Sequence, residues 1–173
     1  KERKLYQDIQ MVFQTPQDSF DPRRTLGDGI MESMRNQGMK KHQAKERMYE
    51  LLEMVELPGE FASRYPHEVS GGQCQRAAIA RALAPNPQLM ICDEATSALD
   101  VTVQAQIVEL LNKLREEQGL SLLLICHDLA LVQKLCDRVL VMYKGGVVEQ
   151  GVPDEVIQNP QNEYTKILVD SVF

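Results

Sequence analysis

Hydrophobic and polar positions alternate along this chain in two rhythms, short apolar runs and longer stretches of helical spacing. Ile9 to Phe13 is a short apolar run that stops at Gln14 and gives way to Thr15-Pro16 and a segment containing Pro22. That predicts a strand entering a loop. From Leu26 to Leu57 the pattern turns helical, with Ala44, Met48, Leu51, Leu52 and Val55 on one stripe and Lys41, Lys45, Glu46, Glu50 and Glu53 on other faces. Pro58-Gly59 ends this amphipathic region, and a further helix runs from about Gly72 to Leu83, stopped by Pro85 and Pro87.

The remainder reads as parallel α/β structure: strand Leu89 to Cys92, helix Val101 to Gln118 with Val103, Ile107, Leu110, Leu111 and Leu114 on one side, then strand Leu120 to Cys126. Continuous apolar strands predict burial on both faces. A short helix Leu129 to Leu135, a strand Arg138 to Tyr143, a turn at Lys144-Gly145-Gly146 and a strand Val147 to Gln150 complete the predicted core. Two short helices, broken at Asn159-Pro160, are expected between Pro153 and Phe173.

With 173 residues, 43% of them hydrophobic, the chain can bury one respectable core. Its 25 Asp and Glu against 19 Lys and Arg leave a formal charge of −6 without a basic run. Nucleic acid is therefore not an expected partner. The longest apolar stretch, Leu120 to Cys126, is far short of the ~20 residues a membrane span needs, and Lys1 to Lys4 leads into no signal-peptide core. The four cysteines, Cys74, Cys92, Cys126 and Cys136, match no metal-site spacing and read as reduced thiols.

Strand Leu89 to Cys92 runs into Asp93-Glu94, so two carboxylates stand at the carboxyl end of a buried strand, where open α/β sheets hold ligands. Adjacent side chains diverge, so one can hold Mg²⁺ while the other reaches a nucleophile. Ser70-Gly71-Gly72-Gln73 precedes a helix, offering a hydroxyl, an open backbone and a helix N-terminus to an anion; it also fits an ordinary Ser-capped helix start. His127 follows an apolar strand and can bridge a phosphate and a water, and Gln14, also at a strand end, can offer its amide oxygen to Mg²⁺. Each is ambiguous alone; their consistent order gives the set its specificity.

Val69-Ser70-Gly71-Gly72-Gln73-Cys74-Gln75-Arg76 resembles the signature of ABC ATPases, Leu89 to Glu94 resembles their Walker B strand, Ser97-Ala98-Leu99-Asp100 their D-loop, His127 their switch histidine and Gln14 their Q-loop glutamine. Met11-Val12-Phe13-Gln14, Ser19-Phe20-Asp21-Pro22-Arg23 and Cys92 to Val101 are most similar to the ATPases of peptide and nickel importers. Their usual His-Pro-Tyr-Thr near the C-terminus is Asn162-Glu163-Tyr164-Thr165 here, and accessory ATPase-like subunits of phosphonate metabolism have similar tails.

The resemblance implies an α/β, RecA-like P-loop NTPase core with an inserted helical subdomain, divided as 1–14 (end of the N-terminal core segment), 15–84 (helical subdomain), 85–150 (core) and 151–173 (helical extension). It implies a cytoplasmic ATP-hydrolysing subunit, peripheral on the inner face of the membrane, that pairs head to tail with a second ATPase subunit and docks on transmembrane permease subunits. By resemblance Glu94 is the general base, His127 holds the γ-phosphate, and Asp93 and Gln14 hold Mg²⁺. Ser70, Gly71, Gly72 and Gln73 serve a partner's ATP, and Asp100 links the two sites. The sequence contains no G-x-x-x-x-G-K-[ST] phosphate loop. The expectation is therefore a core lacking its N-terminal part, inactive by itself, with exposed sheet edges beside Ile9 to Phe13 and Leu89 to Cys92. Rival expectations are a non-catalytic docking module and a non-transport ABC ATPase.

Overall fold

The computed structural model describes residues 2–171, with side chains from Lys4 onward; the predicted helical tail therefore includes Val172 and Phe173, which lie outside the described residues. The chain forms two compact units, one up to Ile125 and one from Cys126 on. Among the described residues no helix is long and apolar enough to cross a membrane.

The first unit opens with helix α1 (Glu2–Asp8), which passes directly into strand β1 (Ile9–Val12). The sequence pattern gives no sign of α1, whose Leu5 and Tyr6 are exposed and leave no buried stripe to detect. The helical region beyond the loop is two helices, α2 (Leu26–Asn36) and α3 (Lys41–Met54), rather than one continuous stretch. Gly38 makes the break: at φ +91° it takes the left-handed position after α2. The Met39 amide then donates to the Met34 carbonyl (3.1 Å) and the Gly38 amide to that of Arg35 (3.0 Å), closing a Schellman motif. Leu26, Ile30 and Met34 of α2 and Ala44, Met48, Leu51 and Leu52 of α3 are buried. They pack with helix α4 (Gly71–Leu83), which also lies against β1. Arg76 of α4 ties the bundle by donating to the Val55 carbonyl and the Glu56 carboxylate, both at 2.9 Å.

Strands β2 (Leu89–Asp93) and β3 (Ser121–Ile125), joined by helix α5 (Val101–Gln118), complete a parallel sheet of order β1-β2-β3. The register sets Val12 beside Cys92 and Leu124, and Met11 beside Ile91 and Leu123. Alternate side chains point to opposite faces, so the row holding Val12, Met90 and Cys92 is buried, whereas Met11, Leu123 and Ile125 on the other are exposed. Burial on both faces, expected from the apolar runs, is thus not met in this unit. Nor is Leu89 to Cys92 beside an open edge: β2 is central and paired on both sides, and the outer strands are β1 and β3.

The second unit contains helix α6 (Leu129–Leu135), strands β4 (Val139–Tyr143) and β5 (Gly146–Gly151), and helices α7 (Pro153–Gln158) and α8 (Glu163–Asp170). The two strands form an antiparallel sheet of their own. Lys144 and Gly145 both have positive φ, 47° and 82°, the geometry of a tight primed hairpin turn.

Candidate functional site

At the carboxyl end of β2, Asp93 is still paired in register with Ile125, whereas Glu94 turns out of the strand with φ +46°. That left-handed conformation is costly for a side-chain-bearing residue, on the order of 1–3 kcal/mol. Hydrogen bonds hold it: the Glu94 amide donates to the Ile125 carbonyl at 2.8 Å, and the Ser97 amide donates to the Glu94 carbonyl at 3.0 Å. The turn continues into α5, which Asp100 caps by accepting from the amides of Thr102 (3.1 Å) and Val103 (3.0 Å).

Gln14, two residues past the end of β1, reaches the same turn. Its Nε2 donates to Ser97 Oγ at 3.0 Å, and Ser97 Oγ lies 3.0 Å from the Glu94 carbonyl and 3.5 Å from Glu94 Oε2. Gln14 and Asp93 line one groove of about 840 Å³, which β1 and the loop after it share with α2 and α4. The loop after Gln14 is pinned there: Arg81 of α4 donates to the Ser19 carbonyl, and its guanidinium lies 5.6 Å from the centre of the Phe20 ring. Three sequence-predicted residues, Gln14, Asp93 and Glu94, are thus brought together. Ser97, which joins Gln14 to Glu94, is marked in the sequence only by membership of the run Ser97 to Asp100.

Ser70 and Gln73 form a reciprocal cap at the start of α4, the Ser70 amide donating to Gln73 Oε1 (2.9 Å) and the Gln73 amide to Ser70 Oγ (3.3 Å). Gly72 has a packing reason to be glycine: a Cβ there would stand 2.5 Å from Val103 Cγ1 of α5. At Gly71 a Cβ would meet Leu99 Cδ2 at 3.3 Å. The predicted anion-binding start of α4 is therefore packed against the turn that carries Glu94, Ser97 and Asp100.

His127 belongs to the second unit and is exposed. It follows β3 by two residues and precedes Asp128, whose carboxylate caps α6 by accepting from the Leu131 amide at 3.1 Å. Cys74 and Cys92 are buried thiols, and burial pushes them up to about 11 and about 12. Both therefore stay protonated near neutrality and pack as small apolar groups.

The ABC transporter family profile matches residues 1–97. The oligopeptide transport ATP-binding protein OppF of Escherichia coli (strain K12) is 51% identical over 172 residues, covering 98% of this chain and 52% of OppF. The glutathione import ATP-binding protein GsiA of Salmonella choleraesuis (strain SC-B67) is 51% identical over 169 residues, 97% of this chain and 27% of GsiA. The chain thus spans about half the length of the one and about a quarter of the other. Among solved structures, the dimeric post-hydrolysis state of the ATP-binding cassette MJ0796 bound to ADP and Pi superposes with a TM-score of 0.75 at 33% identity, over 87% of this chain and 66% of that one. The chain belongs to the ABC transporter family.

Proposed function

We propose that this chain carries the greater part of the hydrolytic machinery of an import ATPase, whose full-length form binds ATP with Mg²⁺ and drives uptake of peptides or similar small solutes. The observation that carries this reading is a convergence at the ends of two parallel strands, where Gln14 reaches Glu94 through the Ser97 hydroxyl and shares a groove with Asp93. The import assignment is supported by half-identity to OppF and GsiA along nearly the whole chain.

In this reading Glu94 accepts the proton of the water that attacks the γ-phosphorus, and His127 holds the γ-phosphate and the line of attack. Asp93 and the Gln14 amide oxygen are hard oxygen donors on one groove, the ligand type Mg²⁺ takes. With its nitrogen engaged by Ser97, Gln14 keeps that oxygen as its donor atom. Mg²⁺, when bound there, neutralises charge on the phosphates. Ser70, Gly71, Gly72 and Gln73 face the nucleotide of a second ATPase subunit arranged head to tail, and Asp100 links the two sites. The Gln14 loop and the helical segment 15–84 meet the transmembrane permease subunits, between core segments 1–14 and 85–150 and ahead of the extension 151–173. The subunit is peripheral on the cytoplasmic face of the membrane and takes no nucleic acid.

The test is steady-state ATP hydrolysis by the full-length protein with Glu94→Gln. Turnover should fall roughly 10²-fold or more with nucleotide binding kept. An unchanged rate removes Glu94 from the base role.

A further inference from the structure

We infer that Ser97 is a positioning residue that couples the Gln14 loop to the Glu94 carboxylate, an inference that rests on the hydrolytic reading above. A serine hydroxyl has one proton to give and lone pairs to receive. Here it receives from Gln14 Nε2 at 3.0 Å, so its single proton is left for Glu94. Two Glu94 oxygens compete for it: the backbone carbonyl at 3.0 Å and carboxylate Oε2 at 3.5 Å. The carbonyl already accepts the Ser97 amide at 3.0 Å. Moving the hydroxyl proton onto the carboxylate therefore leaves no backbone group unpaired.

That makes the hydroxyl a two-position donor at low cost. Donated to the carbonyl, it fixes the left-handed turn at Glu94 and leaves the carboxylate at the limit of hydrogen-bond reach. Donated to Oε2, it fixes the direction of the carboxylate that the hydrolytic reading uses as general base. The bond from Gln14 restricts where the hydroxyl can point, so a displacement of the Gln14 loop reaches Glu94 through one side chain. Sequence separation hides the link, since Gln14 and Ser97 are 83 positions apart.

The experiment compares Ser97→Ala and Ser97→Thr with the unmodified full-length ATPase, measuring kcat, KM for ATP and the melting temperature. Ser97→Ala is expected to lower kcat by about 10²-fold, the scale of a misplaced catalytic group, with KM within about threefold. Ser97→Thr keeps the hydroxyl and should restore most of kcat. Unaltered kcat in Ser97→Ala overturns the inference. Equal loss of kcat in both variants, accompanied by a lowered melting temperature, also overturns it, by assigning Ser97 to structure alone. Glu94→Gln measured alongside separates the two levels. If it hydrolyses ATP normally, the hydrolytic reading fails; if it is inactive while Ser97→Ala is normal, only the coupling fails.

Discussion

The helical segment from Leu26 to Leu83 and the turn from Glu94 to Asp100 are held by opposite means. In the first, Leu26, Ile30, Met34, Met48, Leu51, Leu52 and Ile79 are all 2% exposed or less, and the chain reverses at a hydrogen-bonded glycine cap. In the second, Ala95 is the only buried residue, and the shape depends on Ser97, Asp100 and backbone bonds around a strained Glu94. Burying a large apolar side chain contributes about 1.5–3 kcal/mol, whereas a hydrogen bond contributes about 0.5–1.5 kcal/mol net. The helical segment is thus a frame that resists rearrangement, and the turn is a place where geometry can change without unfolding. The proposed chemistry sits on the second and is braced by the first.

The largest effect expected from breaking the frame is that of Leu51→Ala, which empties a site with no exposure and should cost about 2–5 kcal/mol. Thermal unfolding would register it directly, while hydrolysis per folded molecule should stay near the original. Ser97→Ala supplies the opposite case, with under about 1 kcal/mol lost and a large loss of turnover. If the two variants were equally destabilised, the division between frame and turn would not hold.

A smaller effect tests where frame and turn meet. Gly72→Ala places a methyl group against Val103 Cγ1 at 2.5 Å, inside any ordinary contact distance, and should cost about 1–3 kcal/mol by overpacking. Trimming the other side with Val103→Ala makes room, so the double variant should be more stable than the two single losses predict. Melting curves of the four proteins give the coupling. Additive losses would mean that α4 and α5 do not touch here in solution.

Much of the fold could be read from the sequence because its information is local. Helical spacing from Ala44 to Val55, the prolines after Leu83 and the glycine-containing turn at 144–146 each predict an element without knowledge of its neighbours. The split at Gly38 shows in the sequence only as a lapse of apolar spacing between Met34 and Ala44, where Met39 is the one large apolar residue, and α1 shows no stripe because its Leu5 and Tyr6 are exposed. Within the site, Asp93, Glu94 and Gln14 were identified as candidates by their places at strand ends. What the sequence could not supply is long-range: the serine that links Gln14 to Glu94, the valine that requires Gly72 to be glycine, and the central place of β2. Each depends on which segments lie side by side, and residue order does not display that.

The frame has one exception to its own rule, and it offers the mildest perturbation. Gln75 of α4 is fully buried, and among the described residues neither its Nε2 nor its Oε1 meets a hydrogen-bond partner. A buried amide left unpaired costs about 1–3 kcal/mol, a burden that an apolar side chain of similar length does not carry. Gln75→Met keeps the volume nearly constant and supplies a flexible chain that can settle into the same space. It should therefore stabilise the protein by about 1 kcal/mol, raising the melting temperature by roughly 2–4 °C. A lower melting temperature would show that the amide is paired in solution and that the helical segment, like the turn, relies on a polar tie. A higher melting temperature together with reduced hydrolysis would show that the frame gives up stability at Gln75 for the activity it supports.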